Sequence, residues 1–240
     1  MTIAYILAGG SGFRMGGSIP KQFLEINGKE IWLYTVQTFH KISAIDKIVI
    51  VSHPNYIRHI EFAILSFNLN KIISIVPGGQ ERDQSAFYGL TNYRCAAEDK
   101  ILICDAVRPC IQPKVIIDVI NVLDTLLICD VGIPVIDTIF EVDNNCILNI
   151  PDRSRYALGQ GPEGFHFGIV YEALQYHLAK KGERERITNI SGIVKKYFPD
   201  ITVGFVYGTP DNIKITTPQD LKIVELFIKG FEVQRNENPR

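Results

Sequence analysis

Four short apolar runs, Ile3–Leu7, Lys47–Ser52, Ile72–Val76 and Lys100–Cys104, alternate along the chain with helical patterns at Ile31–His40, Tyr56–Phe67 and Asp83–Tyr93. The runs show no strict polar alternation, so each strand is expected to be covered on both faces. That requires a parallel sheet with crossover helices. The expectation is an α/β, doubly wound, mostly parallel sheet, and ligands of such sheets sit at the carboxyl ends of the strands. The 240 residues fit one domain spanning 1–240.

One segment breaks the alternation. After the apolar run Leu127–Val135, Thr138–Leu148 reads as two strands around Asn144-Asn145, a protruding β-hairpin arm over about 136–155. It is too short to form a second domain and needs a surface to lie against, for which a second copy of the chain is a natural candidate. Helical patterning returns at Phe165–Leu178 and closes on Ala179-Lys180-Lys181-Gly182, a basic end with a glycine stop. A strand at Thr202–Tyr207 leads to a short strand at Asn212–Ile215. Thr217-Pro218 then opens the last helix, and the polar tail from Gln234 is expected to fray.

The function of this frame is narrowed first by composition. A net charge of -1 and 46% hydrophobic residues give no basic excess for nucleic acid or a membrane surface. No apolar stretch is long enough to span a bilayer, and the start of the chain has no signal-peptide pattern. The five scattered cysteines lack Cys-x-x-Cys spacing and fit reduced thiols in the cytoplasm. The five histidines have no metal-ligand spacing, and there is no Gly-x-Ser-x-Gly elbow.

The first strand runs into Leu7-Ala8-Gly9-Gly10-Ser11-Gly12-Phe13-Arg14-Met15, followed by Pro20-Lys21-Gln22. Glycines let backbone N–H groups approach an anion, while Arg14 and Lys21 carry charge that balances a polyphosphate. A P-loop would need Gly-Lys-Ser/Thr opening a helix, and a Rossmann loop a third glycine; this sequence has neither.

Two more strand ends carry polar residues. Asp105-Ala106-Val107-Arg108-Pro109 follows the strand Lys100–Cys104, and Asp105 there would hold Mg²⁺ against phosphates or cap a turn and pair with Arg108. Gly78-Gly79 to Ser85 follows Ile72–Val76; the glycine pair would lie against a base, with Ser85 offering a hydroxyl and Asp83 capping the next helix. Lys214, between Ile213 and Ile215, either meets an anion or turns to solvent.

Together these segments, with Ile136-Asp137-Thr138-Ile139 and Asn212-Ile213-Lys214-Ile215-Thr216, resemble the sugar-alcohol-phosphate cytidylyltransferases, in order from first strand to last helix. That family includes the methylerythritol-phosphate and ribitol-5-phosphate enzymes and has a Rossmann-like nucleotidyltransferase fold. The resemblance implies that CTP is bound by Leu7, Ala8, Gly9, Gly10, Ser11, Gly12, Gly79, Ser85 and Asp105, with Asp105 holding Mg²⁺. It implies that Arg14, Lys21 and Lys214 are catalytic and stabilise charge as a phosphate oxygen of a polyol phosphate displaces pyrophosphate. Arg108, Thr138 and Arg153 would bind the acceptor, the latter two reaching across a homodimer.

The details resemble the ribitol branch more than the methylerythritol branch, which more often shows paired alanines at the first loop and after Asp105. Gln160-Gly161-Pro162-Glu163 stands where the family has Gln-Thr-Pro-Gln, and Thr188-Asn189 where Thr-Asp is usual. These departures are expected on the acceptor side. The reading is a CTP-dependent cytidylyltransferase of a ribitol-5-phosphate-like alcohol. Methylerythritol phosphate is the alternative acceptor, and a catalytically silent nucleotide-binding protein is the alternative of another class.

Overall fold

The computed structural model describes residues 1–10, 19–93, 95–180 and 187–237, with the backbone alone for 231–237. The first half of the chain gives β1 Thr2–Ala8, β2 Glu25–Ile26, β3 Lys29–Glu30, α1 Ile31–Lys41, β4 Lys47–Ser52, α2 Ile57–Ser66, β5 Ile72–Pro77, α3 Arg82–Asn92 and β6 Lys100–Asp105. The second half gives α4 Pro113–Val122, β7 Ile128–Pro134, β8 Glu141–Asp143, β9 Cys146–Asn149, β10 Ala157–Gly159, β11 Glu163–His166, α5 Phe167–Ala179, α6 Ile190–Tyr197, β12 Val203–Tyr207 and α7 Pro218–Glu237.

Eight strands form one sheet in the order β10-β7-β11-β6-β1-β4-β5, with β12 paired to β7. The β6-β1-β4-β5 block is parallel, as is β12 on β7, whereas β10 and β11 run antiparallel. The mostly parallel, doubly wound expectation therefore holds, and β1 shows why. All seven of its residues are buried. Ile3, Tyr5 and Leu7 pack into a core shared with α3, α5 and α6, while Ala4, Ile6 and Ala8 pack into one shared with α1, α2 and α4. Successive side chains of a strand leave opposite faces, so two apolar layers demand an uninterrupted apolar run. Each fully buried aliphatic side chain contributes about 1.5–3 kcal/mol. A third cluster joins Val224 and Ile228 of α7 to Ile26, Ile31, Val107 and Ile215.

Several expectations need correction. Asn212–Ile215 is not a strand: it is an extended strap tied by the Ile215 N–H to the Val107 carbonyl at 3.0 Å, and it lacks a neighbouring ladder. The segment beginning at Phe165 is first a strand, β11, wedged between β6 and β7, and the helix starts at Phe167. Helix α7 continues through Glu237, into the tail expected to fray from Gln234, and residues 238–240 lie outside the described residues. Helices α4 and α6, strand β10 and the β2-β3 hairpin at Asn27-Gly28 are among the elements that the patterning did not resolve; Asn27 and Gly28 take φ 51° and 70°, the left-handed pair that tightens a two-residue turn.

The arm is a hairpin, with β8 and β9 paired and Asn144 and Asn145 at φ 46° and 64°. Every residue of both strands is exposed, including Val142, Ile147 and Leu148. Among the described residues, no helix is long and apolar enough to cross a membrane.

Candidate functional site

The carboxyl ends of β1, β4, β5 and β6 are laced together by main-chain hydrogen bonds that continue past the strands. Ala106 N–H donates to the Leu7 carbonyl at 2.9 Å, and Gly78 N–H to the Ser52 carbonyl at 2.7 Å. The loops after β1 and β5 then pass so closely that a Cβ on Gly78 would lie 3.2 Å from Gly9 Cα, leaving no room for a side chain without movement. Behind them, Ser85 Oγ accepts from Gly79 N–H at 3.0 Å and donates to the Glu81 carbonyl at 2.9 Å. Buried Gln22 pins the first loop by donating to the carbonyls of Ala8 and Gly10 at 2.6 and 2.8 Å.

Above this floor lies a cavity of about 890 Å³, within the usual size range of small-molecule sites. Leu7 to Gly10, Gly78 to Arg82 and Ser85 line one side, and Lys21, Asp105 and Lys214 bring the charge. Lys21 opens a short 3₁₀ turn directly after Pro20, and its Nζ donates to the Ile215 carbonyl at 2.7 Å. That bond brings the Pro20-Lys21-Gln22 turn against the strap that carries Lys214. The strap is itself fixed by Asp220 in the first turn of α7, whose Oδ2 accepts from both Thr216 and Thr217 N–H at 2.8 Å.

Asp105, the last residue of β6, is 13% exposed and surrounded by cations. Lys214 Nζ lies 2.8 Å from Oδ2, Arg82 Nε 3.2 Å from Oδ1, and Arg108 Nε 4.0 Å from Oδ2. Burial pushes its carboxyl up, but the Arg82, Lys214 and Arg108 charges outweigh that and hold it far below the usual carboxylate range. It is ionised at any physiological pH.

Arg82 continues the network inward. Its Nη2 meets Glu163 Oε1 at 2.7 Å, while Nη1 is buried without a hydrogen-bond partner among the described residues. Glu163 is 2% exposed, and its Oε2 accepts from the N–H groups of Ile190 and Ser191 at 2.7 and 2.9 Å, at the start of α6. A helix N-terminus with free N–H donors suits an anion. Asn189 caps the same helix by accepting from Gly192 N–H, and its amide donates to Asp130 Oδ2 at 2.9 Å. Burial, with the neighbouring Glu163 charge, pushes Asp130 up to about 7.

The sequence-derived candidates thus separate into groups. Leu7, Ala8, Gly9, Gly10, Lys21, Gly79, Ser85, Asp105 and Lys214 come together at the cavity. Arg14, Ser11 and Gly12 lie outside the described residues. Arg108 is buried rather than at the cavity wall, and its Nη1 donates to the Asn212 carbonyl at 2.8 Å. Thr138 and Arg153 are exposed on the arm, where Arg153 donates to the Ile136 carbonyl.

The two carboxylate and amide departures are not on an open acceptor face. Glu163 and Asn189 instead serve a buried charge network and a helix cap. The start of α3 differs as well: Glu81 is the cap, in a reciprocal box with Gln84. The sequence motifs assign no role to Arg82 or Gln22. A cation in the first turn of a helix at the ligand edge was the available signal for Arg82, and a carboxylate between Pro162 and the apolar Gly164-Phe165 was the signal for Glu163.

Among the described residues no group of three or more His, Cys, Asp or Glu side chains is placed to hold a metal ion. Glu81 and Asp105 are the carboxylates that line the cavity, and Glu81 is engaged in the cap of α3; a carboxylate has about four lone-pair sites, so Asp105 can accept a cation beside Arg82 and Lys214. Such a site fits a Mg²⁺ that arrives already bound to phosphates and water better than one held by protein alone.

Residues 2–230 match the family described as IspD, 2-C-methyl-D-erythritol 4-phosphate cytidylyltransferase. The chain is 39% identical over 226 residues to the bifunctional ribulose 5-phosphate reductase/CDP-ribitol pyrophosphorylase Bcs1 of Haemophilus influenzae, covering 93% of this chain and 47% of that protein. It spans, therefore, about half the length of this relative. It is 35% identical over 230 residues to a 2-C-methyl-D-erythritol 4-phosphate cytidylyltransferase of Clostridium botulinum, covering 95% and 99% of the two chains. The crystal structure of the 4-diphosphocytidyl-2C-methyl-D-erythritol synthase from Anaerococcus prevotii superposes with a TM-score of 0.83 at 26% identity, over 95% of this chain and 96% of that one. With the match running from β1 into α7, the chain belongs to the IspD family of CTP-dependent cytidylyltransferases.

Proposed function

We propose that this chain transfers CMP from CTP to ribitol 5-phosphate or a closely similar alditol phosphate, giving a CDP-alditol and pyrophosphate. The observation that carries the acceptor is the 39% identity to a CDP-ribitol pyrophosphorylase, above the 35% to the methylerythritol-phosphate relative. The converging strand ends support the donor side. The cytosine would lie against Ala8, Gly9 and Gly79 with Ser85 behind them, and the triphosphate would run toward Lys21 and Lys214. Arg14, in the same loop, would add a third cation.

In the reaction, an acceptor phosphate oxygen forms a bond to the α-phosphorus while the bond from that phosphorus to the bridging oxygen breaks. The electron pair leaves with pyrophosphate, and no proton has to move. Catalysis then rests on alignment and on neutralising charge at the phosphorus, which lysines positioned in advance supply without a covalent intermediate. Mg²⁺ bound with the triphosphate, with Asp105 as its protein carboxylate, would supply further neutralisation.

The protein would work as a homodimer in the cytoplasm. Exposed Ile136, Val142, Ile147, Leu148 and Ile150 along the arm support an interface. Thr138 and Arg153 would bind the acceptor phosphate from the partner's arm, while buried Arg108 holds the Asn212 carbonyl of the strap. The unpaired cysteines, three of them buried, fit a reducing compartment.

Methylerythritol 4-phosphate is the second reading, favoured by the family description and the solved neighbour. Pyrophosphate release with CTP and Mg²⁺ against ribitol 5-phosphate, methylerythritol 4-phosphate and glycerol 3-phosphate decides between them. The highest kcat/KM is expected with ribitol 5-phosphate. Turnover confined to methylerythritol 4-phosphate would overturn the acceptor, and no turnover with any polyol phosphate would leave a nucleotide-binding protein.

A further inference from the structure

Glu163 is 2% exposed and lies outside the cavity lining, whereas its partner Arg82 is part of that lining, so the pair connects the interior to the cavity by an unbroken chain of short contacts. The Ile190 and Ser191 N–H groups hold Glu163 Oε2, Glu163 Oε1 holds Arg82 Nη2 at 2.7 Å, Arg82 Nε holds Asp105 Oδ1 at 3.2 Å, and Asp105 Oδ2 holds Lys214 Nζ at 2.8 Å. We propose that Glu163 is a positioning residue for nucleotidyl transfer, which orients Arg82 so that Arg82 fixes the Asp105 carboxylate and Asp105 fixes Lys214 at the cavity. The inference rests on Lys214 acting at the phosphates, as in the function proposed above.

Three observations carry it. First, Asp105 is the ion-pair partner of Lys214 among the described residues, and the lysine side chain is 36% exposed on an irregular strap. A four-carbon stem with three rotatable donors has no preferred direction of its own, so the orientation of the carboxylate sets where the ammonium rests. Second, Arg82 stands at the first position of α3 and its ion-pair partners among the described residues are Glu163 and Asp105, so the guanidinium plane is set by these two carboxylates. A planar fork bridging two acids transmits direction in a way that a flexible ammonium does not.

Third, the partners of Glu163 are all donors: a guanidinium, two backbone N–H groups and, at 3.4 Å, the Ser191 hydroxyl. Only a carboxylate offers acceptors on both sides. A glutamine would turn an NH₂ toward either Arg82 or the start of α6, leaving a buried donor facing a donor. The carboxylate at 163 thus ties β11, α3, β6 and the strap before α7 into one charge-linked frame, with the reacting lysine at its open end.

The test uses the full chain, wild type, Glu163→Gln and Arg82→Lys, with two readings. The first is the rate at which an amine-modifying reagent labels Lys214 without substrate, measured by peptide mass spectrometry with Lys21 as the internal reference. The second is kcat and KM for CTP by pyrophosphate release.

In both variants, Lys214 labelling should rise at least threefold relative to Lys21, because an amine freed from its carboxylate is more open to the reagent. The kcat should fall about tenfold or more while the KM for CTP stays within threefold. A purely structural role for Glu163 would lower thermal stability and leave the Lys214 to Lys21 ratio at its wild-type value; that unchanged ratio overturns the proposal. Should Glu163→Gln not fold, Arg82→Lys carries the same prediction, since lysine keeps the charge but lacks the planar fork that fixes the direction of both carboxylates. Labelling needs no turnover, so a wild-type chain inactive on every polyol phosphate would sink the proposed reaction while the labelling ratio still decides the positioning chain.

Discussion

Replacing Asp105 with asparagine removes one charge and almost no volume from a point where three cations meet. In the wild-type chain the carboxylate is 13% exposed, with Lys214 at 2.8 Å, Arg82 at 3.2 Å and Arg108 at 4.0 Å. Asparagine keeps one acceptor but turns a donor toward either Arg82 or Lys214. Removing one member of a buried ion pair costs about 3–5 kcal/mol. Arg82 keeps Glu163, and Lys214 can turn to water, so the lower end applies, about 3 kcal/mol. For a chain of this size, each kcal/mol moves the Tm by about 2–4 °C, which gives a drop of about 6–12 °C at pH 7.

The pH dependence gives the sign. A carboxyl held below its unfolded value contributes stability that is fully present above the unfolded pKa and is lost as pH falls through the folded one. The gap between wild type and Asp105→Asn should therefore be constant from pH 6 to 8 and shrink in acid below about pH 4. Calorimetric melts across that range test this. A variant melting within about 2 °C of wild type at pH 7, or a gap that widens on acidification, would refute the assignment of Asp105 as the paired centre of this network.

Asp130 makes the opposite case. Its folded pKa is raised to about 7, so its stabilising balance is complete in acid and is lost as pH rises through that value. Between pH 4 and pH 8 Asp130→Asn should therefore lose less stability than wild type, because the variant has no buried carboxyl to ionise; urea midpoints that fall equally in the two chains over that range would contradict it. On the arm, Leu148→Lys should shift the chain from dimer to monomer in sedimentation velocity at micromolar concentration without changing its far-ultraviolet spectrum, because a charge placed on an exposed apolar strand is costly only if that strand becomes buried. A wild-type monomer, or an undisturbed dimer in the variant, would remove the arm as interface.

The parts of this molecule legible in the sequence are those that depend on near neighbours in the chain. The run Ile3–Leu7 reads as a strand buried on both faces because it carries no charged residue and no strict polar alternation, and Asn144-Asn145 as a tight turn because asparagine accepts positive φ. The glycine loop, Lys21, Asp105 and Lys214 were visible as polar punctuation after apolar runs, since ligand chemistry in such folds is confined to one edge of the sheet. Local patterning was weaker where an element is short or has mixed neighbours. Four residues, Glu163–His166, carry too little periodicity to be separated from the helix that follows, and Asn212–Ile215 resembles a strand although it borders none.

The sequence by itself therefore determined the layered frame, the edge at which chemistry collects and the polyanion that this edge suits. Only the tertiary structure decided what Glu163, Asn189 and Arg82 do. Their partners stand 27, 59 and 81 positions away, at Ile190, Asp130 and Glu163. Whether a charge is buried and paired or exposed and available is a property of the space around it, which chain order does not encode. Glu163 and Asn189 stood out in the sequence as breaks in an acceptor motif. The fold makes them parts of a buried network behind the nucleotide cavity, because β11 carries Glu163 to the edge of β6 where Asp105 and Arg82 already meet.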